Sequence, residues 1–224
     1  IVATGMSIGP AGLTHISELP DLVALDLEVC DNVSDSACDV LARMTKLRAL
    51  NLKKTAFEKN RISAAGLNKL AGLRQLEVLN LYAESINNET LKELMPLGNL
   101  RELDLSLTSV SDVGLKHLTT LKKLTRLTLL YSEGFAGPKI TNAGLKPLSE
   151  MTQLTTLNLV GAKITDAGVD DLKLLRNLKR LTLVGSGLSA DGLKRLQVAL
   201  PDCEIDFDNN RLKIPDAGGT VEGS

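Results

Sequence analysis

The chain has 224 residues, 43% of them apolar, and a formal net charge of −1. A nearly neutral chain without a long run of Lys and Arg is a poor match for nucleic acid or an anionic membrane surface, because both attract clustered cations. No apolar stretch approaches the roughly 18–20 residues that cross a bilayer, so the sequence predicts no membrane span. Only 2% of the residues are aromatic, and any core must be mainly aliphatic.

A Leu-x-Leu pair recurs along almost the whole chain. Successive pairs begin 24 or 25 residues apart, except for two longer steps of 29 and 30. The series continues to Ile205 and Phe207 and, counted backwards, to Ile1 and Ala3. A period of this length predicts a stack of similar units rather than one closed core. The pairs are Leu25/Leu27, Leu50/Leu52, Leu79/Leu81, Leu103/Leu105, Leu127/Leu129, Leu157/Leu159 and Leu181/Leu183.

Each unit is predicted to contain a strand, a turn and a short helix. In residues 100–124, Leu103 and Leu105 alternate with polar residues, which is typical of a strand with one buried face. Ser111 and Asp112 follow, ahead of leucines spaced three residues apart. A Ser or Thr at a helix start accepts a bond from a free N–H, and an acidic residue beside it favours the positive end of the helix dipole. The same pairing recurs at Ser34-Asp35, Thr141-Asn142 and Thr165-Asp166, and more loosely at Ser189-Ala190-Asp191.

The repeated pattern LxxLxLxxTxITDxGLxxLxxLxxL, over residues 1 to about 208, resembles a known family. It is similar to the cysteine-containing, F-box-associated subclass of leucine-rich repeats and its bacterial relatives. The resemblance implies an α/β solenoid, a right-handed superhelix with a parallel concave sheet and outer helices. The position after each strand, often Asn or Cys in the family, varies here, so we expect a less uniform inner turn. That position holds Cys30, Thr55, Glu84, Thr108, Ser132, Ala162 and Ser186.

The two ends of the repeat series differ from its middle. We expect one leucine-rich-repeat domain over residues 1–214, with a partial first repeat, about seven full repeats and a closing strand at 203–208. Residues 215–224 contain Pro and Gly without periodicity and are predicted to be a flexible tail. Ile1 falls in mid-strand without a polar cap or a basic-then-apolar leader, so either an upstream segment was trimmed or the first repeat is frayed.

Two repeats are longer than the others, and both insertions, at residues 56–61 and 132–139, follow a strand directly. Each contains a Phe, and an apolar strip of neighbouring strand ends lies beside them. We call this strip the rim; it consists of Tyr82, Leu107, Leu130, Tyr131 and Val160. We expect the rim to bind the partner, since aromatic anchors with a polar surround are typical of binding hot spots. Alternatively, these side chains pack on their own loops and turns. The predicted partner-binding residues are Phe57, Tyr82, Leu107, Leu130, Tyr131, Phe135 and Val160.

Candidate catalytic residues are scattered by the repeat register. His15 and His117 occupy the same helix position four repeats apart, on the predicted convex surface, and cannot share a site. Cys30, Cys38 and Cys203 lack metal-ligand spacing and are interpreted as small buried hydrophobic residues. We therefore expect no catalytic residues, no cofactor and no metal.

These features favour a monomeric, non-enzymatic module that binds another protein through its concave face, the rim and the two insertion loops. An alternative is that the repeats are the substrate-recognition arm of a larger enzyme, such as a ubiquitin-ligase-like or effector protein. Glycan binding is a third possibility. It would favour aromatic rows at the centre of the concave face, where the sequence instead predicts a polar column from Asp26 to Thr182.

Overall fold

The computed structural model describes residues 1–54, 61–132 and 139–207. Within these residues the chain forms eight strands of three residues each. Each strand is centred on the first residue of a Leu-x-Leu pair or on its equivalent, Ile205. The predicted tail at 215–224 lies outside the described residues. The strands are β1 (Ala24–Asp26), β2 (Ala49–Asn51), β3 (Val78–Asn80), β4 (Glu102–Asp104), β5 (Arg126–Thr128), β6 (Thr156–Asn158), β7 (Arg180–Thr182) and β8 (Glu204–Asp206).

All eight strands form one parallel sheet in the order of the sequence. The register places equivalent leucines side by side, so that Leu127 pairs with Leu103 on one side and with Leu157 on the other. Val2 adds one parallel bridge to Asp26 ahead of β1. Parallel neighbours require a return segment after every strand, and the helices provide it. This arrangement confirms the predicted α/β solenoid with a parallel sheet.

Short helical segments form the layer opposite the sheet. Some return segments are α-helical, and others contain the tighter 3₁₀ form over residues 90–94, 116–120 and 166–168. The α-helices are α1 (Pro10–Ser17), α2 (Asp35–Leu41), α3 (Ala64–Leu70), α4 (Asp112–Leu115), α5 (Asn142–Ser149), α6 (Val169–Leu172) and α7 (Ala190–Ala199).

The predicted helix starts are confirmed, but their hydrogen bonds are only partly those expected. The Thr141 side chain accepts from the Ala143 N–H, and that of Ser189 from the Gly192 N–H. Ser34, Ser111 and Thr165 also occupy the capping position but make no such bond. These three side chains have other partners nearby, and for Ser111 and Thr165 the partner belongs to the preceding repeat.

At five junctions between repeats, a ladder of side chains joins the start of one helical segment to the start of the next. Asp112 Oδ1 accepts from the Thr141 N–H at 2.8 Å, and its Oδ2 accepts from the Thr141 hydroxyl at 2.6 Å. In the Asn142–Thr165 rung the amide oxygen accepts in the same way, and the amide nitrogen donates to the hydroxyl at 2.8 Å. Each rung contributes two hydrogen bonds, worth about 0.5–1.5 kcal/mol each. The remaining described rungs are Asp35–Ser63, Asn88–Ser111 and Asp166–Ser189.

The ladder explains a glycine in the first turn of most helices. A Cβ on any of these glycines would lie 2.2–2.7 Å from a side-chain oxygen of the preceding repeat, far inside contact distance. Two repeats lack the Asp or Asn whose oxygen makes this close contact. Pro10 stands there in one, and the next repeat has Ala37 instead of glycine; Ala64 stands there in the other, and the next repeat has Thr90. The glycines are Gly66, Gly114, Gly144, Gly168 and Gly192.

In the described residues the core is one mainly aliphatic cluster between the sheet and the helices, running from Ala3 to Leu200. Leu127, in the middle of the sheet, is completely buried. A unit of about 24 residues is too small to bury its own leucines, so each repeat depends on its neighbours for burial.

Candidate functional site

The last residue of every strand belongs to a polar column on the concave face, and each member is half-buried. Several of these side chains accept a hydrogen bond from the backbone N–H two residues later. Asn80 accepts in this way from Tyr82 at 2.9 Å, and Asp104 from Ser106 at 2.8 Å. The column therefore stabilises the turns that follow several of the strands. Asp26, Asn51 and Asn158 make the same contact.

A charged cluster with one aromatic ring lies at the ends of the first strands. Lys53 Nζ contacts Glu28 Oε1 at 2.7 Å and lies 5.4 Å from the centre of the Tyr82 ring, within cation–π range. The hydrogen bond with Glu28 raises the pKa of Lys53, so the ammonium stays charged. Burial raises the pKa of Tyr82, and its phenol stays protonated. Glu28, Lys53 and Tyr82 are all half-buried, and we call them the concave cluster.

Farther along the sheet, the strand ends are neutral. Leu130 is half-buried beyond β5, whereas Val160 beyond β6 and Val184 beyond β7 are 7% and 5% exposed. The Leu130 N–H donates to Ser106 Oγ at 3.1 Å, which ties two neighbouring repeats together at this level. The concave face is therefore charged at its N-terminal strands and mainly uncharged at the ends of β5–β7.

The rim predicted from the sequence is largely buried. Leu107, Tyr131 and Val160 expose 6%, 2% and 7% of their surfaces, while Tyr82 and Leu130 are half-buried. The expectation that Tyr131 presents its ring to a partner is therefore wrong. Its hydroxyl donates to the Val110 carbonyl at 3.3 Å, and burial raises its pKa. Phe57 and Phe135 lie outside the described residues.

The backbone explains why the repeat register misplaced Tyr131. In repeats without an insertion, the residue four positions after the strand centre adopts a left-handed conformation, with φ from 52° to 77°. The two repeats with insertions have Lys54 and Tyr131 at this position, and neither is among the left-handed residues described. Both side chains are buried in the repeat instead. The left-handed residues are Gly5, Val29, Ala83, Leu107, Gly161 and Gly185.

Two buried charged residues near the first insertion were missed by sequence reasoning. Lys54 is completely buried, and its ammonium donates to the Cys30 carbonyl. Glu84 is 1% exposed, and its Oε2 accepts from the Ile62 N–H at 2.5 Å. Glu84 therefore joins the turn after β3 to the backbone of the preceding repeat, just after the first insertion.

The groups that could support chemistry are dispersed. His15 is exposed on α1, and His117 is partly exposed on the 3₁₀ segment 116–120. Cys30 and Cys38 are buried free thiols, and burial raises the pKa of Cys38 to about 12, which keeps it protonated at neutral pH. In the described ranges no three His, Cys, Asp or Glu residues are grouped to hold a metal ion. No described helix is long and apolar enough to cross a membrane.

Comparison with known proteins identifies the fold. No protein-family model and no curated protein matches the chain. Internalin C2 of Listeria monocytogenes is 21% identical with a TM-score of 0.65, and the match covers 92% of this chain and 79% of that structure. Internalin F of the same organism is 20% identical with a TM-score of 0.55, covering 89% and 64%. A leucine-rich-repeat protein of Leptospira interrogans is 21% identical with a TM-score of 0.57, covering 86% and 56%.

These similarities confirm the leucine-rich-repeat solenoid, and the structural neighbours are bacterial proteins. The chain spans less than two thirds of the last two structures. At about 20% identity they establish the fold alone. The assignment to the F-box-associated subclass stays a prediction.

Proposed function

We propose that this chain is a protein-binding module whose concave face receives the partner, with the concave cluster at the centre of the contact. The observation that carries the proposal is the position of Tyr82. Its ring is half-buried, has Lys53 beside it and still faces the open side of the sheet. A Tyr held among paired charges resembles a binding hot spot, because the ring loses little conformational freedom when covered. Repeat solenoids commonly use such a concave surface for binding.

Leu130 extends this contact along the sheet, and Phe57 and Phe135 add aromatic side chains from the two insertions. The buried rim residues Leu107, Tyr131 and Val160 support the surface from beneath. Their role in the proposal is to hold the strand ends in place rather than to touch the partner.

The module acts without catalysis and as a monomer in this proposal. If the repeats belong to the recognition arm of a larger enzyme, the same face performs the recognition and the chemistry belongs to another part of that enzyme. The dispersed histidines and the protonated Cys38 thiol support this division of roles.

The test compares proteins retained by matched variants of the immobilised chain. Tyr82→Ala and Lys53→Ala alter the concave cluster, and Lys116→Ala alters an exposed convex position. We expect a specific partner to bind the wild type and Lys116→Ala equally. Tyr82→Ala should weaken its affinity by about 1–3 kcal/mol, measured by calorimetry with the purified partner.

Circular dichroism and urea melts of each variant separate lost contact from lost folding. The proposal fails if Lys116→Ala weakens binding while both concave variants bind normally. It also fails if no retained protein distinguishes the concave from the convex variants.

A further inference from the structure

Exposed cations accumulate at one edge of the solenoid, where each helix returns to the next strand. The six return segments leading into β2–β7 contain twelve Lys or Arg residues and three Glu residues, a net charge of +9 in a chain of net charge −1. All twelve cations are exposed. We call them the basic edge: Arg43, Lys46, Arg48, Arg74, Arg101, Lys122, Lys123, Arg126, Lys173, Arg176, Lys179 and Arg180.

The helix dipole does not account for this distribution. Cations stabilise a helix when they lie in its last turn. Lys173 follows α6 directly, but the other members lie beyond the last helical turn, in the loop or at the start of a strand. The in-register sheet then brings them to one side, because equivalent strand starts lie about 4.8 Å apart in a parallel sheet.

Seven of the twelve cations form ion pairs within the chain, so internal pairs neutralise part of the edge. Four of these pairs use carboxylates outside the six segments, and they involve Lys46, Lys173, Lys179 and Arg180. Glu77 contacts Arg48 at 2.5 Å and Arg101 at 3.5 Å, and Glu102 contacts Arg126 at 3.2 Å. These pairs are partly exposed to solvent and therefore weak. Several members have no acidic partner among the described residues: Arg43, Arg74, Lys122, Lys123 and Arg176.

We propose that the basic edge is a second docking surface, which binds an acidic polypeptide segment. Arginines supply seven of the twelve charges, and the planar guanidinium matches carboxylates in a two-bond geometry. Glu77 and Glu102 interrupt the positive surface, which suits discrete carboxylates better than a continuous phosphate chain. The six segments contain no aromatic residue on which a nucleic-acid base could stack.

The dimensions agree with this ligand. Six strand starts span about 24 Å at roughly 4.8 Å per step. An extended peptide of about eight residues has a similar length at roughly 3.3 Å per residue. Because this surface is separate from the concave cluster, it goes beyond the proposed function and is tested by different variants.

The experiment uses a fluorescein-labelled peptide of about eight alternating Glu and Ser residues, with its Gln-for-Glu counterpart and a single-stranded oligonucleotide of equal charge. Anisotropy titrations at about 0.15 M salt compare three proteins. One is the wild type, and one is the triple variant Arg74→Glu/Lys122→Glu/Lys123→Glu. The third, Lys116→Glu/Lys146→Glu/Lys163→Glu, makes the same change in net charge at exposed positions outside the basic edge.

We expect the wild type and the control triple variant to bind the Glu peptide, and the basic-edge variant to bind it at least about tenfold more weakly. The Gln peptide should bind none of the three measurably. Equal weakening by both triple variants would mean that net charge, and not this edge, is responsible. Tighter binding of the oligonucleotide than of the Glu peptide would overturn the assignment of the ligand.

Discussion

A Cβ atom on Gly144 would lie 2.4 Å from Oδ1 of Asp112, which belongs to the preceding repeat. The same carboxylate oxygen accepts a hydrogen bond from the Thr141 N–H at 2.8 Å, which holds it against the first turn of α5. Gly144 is therefore required by its neighbour and not by its own backbone conformation, since its φ is not in the left-handed region.

Gly144→Ala is expected to destabilise the protein by about 1–3 kcal/mol, although Ala is intrinsically the better helix former by about 1 kcal/mol. In an Asp112→Ala background the same substitution should cost at least about 1 kcal/mol less, because the obstructing carboxylate is gone. Urea denaturation of the four proteins gives this coupling free energy. Side-chain ends of Ile140 and Leu115, each 3.0 Å from the added Cβ, account for the remaining cost. Strictly additive effects would contradict the ladder.

Leu127→Ala should destabilise by about 2–5 kcal/mol, because a completely buried leucine between two neighbouring strands leaves a cavity. His117→Ala, on the partly exposed convex side, is the control and should change the free energy of unfolding by less than about 0.5 kcal/mol. Thermal and urea melts measure both. If His117→Ala proved the more damaging, the assignment of inward and outward positions would be wrong.

Tyr131→Ala is expected to cost about 3–5 kcal/mol of stability, since a large buried ring is removed. Tyr131→Phe keeps the ring and loses the bond to the Val110 carbonyl, so it should cost only about 0.5–1.5 kcal/mol. Tyr82→Ala is the matched control, because its ring is half-buried and its loss should affect stability less than Tyr131→Ala. If the Tyr131→Ala protein were as stable as the wild type, the ring would not be part of the core, and Tyr131 would again be a candidate for partner contact.

Acid should weaken the Asp166–Ser189 rung. The hydrogen bonds from Ser189 lower the pKa of Asp166, so this group contributes stability above its unfolded pKa of about 3.9. The contribution is lost as pH falls through the lower folded pKa. Asp166→Asn should retain the rung, as Asn142 does with Thr165, without this titration.

Unfolding free energies of wild type and Asp166→Asn, measured from neutral pH to below about pH 4, provide the test. We expect the wild type to lose more stability over this range than the variant. Parallel curves for the two proteins would exclude a role for Asp166 ionisation.

The positions of strands and helix starts followed from the sequence because they depend on local periodicity. Leu103 and Leu127 are separated by one 24-residue step, and the structure pairs them directly. Solvent exposure in the repeats with insertions could not be obtained in the same way. Tyr131 and Lys54 precede the added residues, and their side chains turn inward where the equivalent Leu107 and Ala83 have a left-handed backbone.

Contacts between repeats were also missed, although the sequence contained a signal for them. Asp112 was attributed to the helix dipole, whereas the structure shows that it binds Thr141 of the next repeat. Where a repeat has Asp or Asn at its helix start, the next repeat has glycine in its first helical turn. Where a repeat has Ala64 at its helix start, the next repeat has Thr90 instead, so the correlation is between repeats rather than within one. The basic edge was missed for a similar reason, because its cations are scattered in sequence and gathered only by stacking.

The ladder limits the ways in which this array could be lengthened or rearranged. The repeat whose helix begins with Asp112 can be followed only by a repeat with room for this carboxylate, as Gly144 provides. The repeat containing Thr90 has a larger side chain at this position, and it follows the repeat whose helix begins with the small residue Ala64. Duplication of a whole unit would therefore succeed at some junctions and fail at others of equal length. Ala190 in α7 presents no side-chain oxygen to a further unit, so a helix stacked beyond it would receive no rung from this residue.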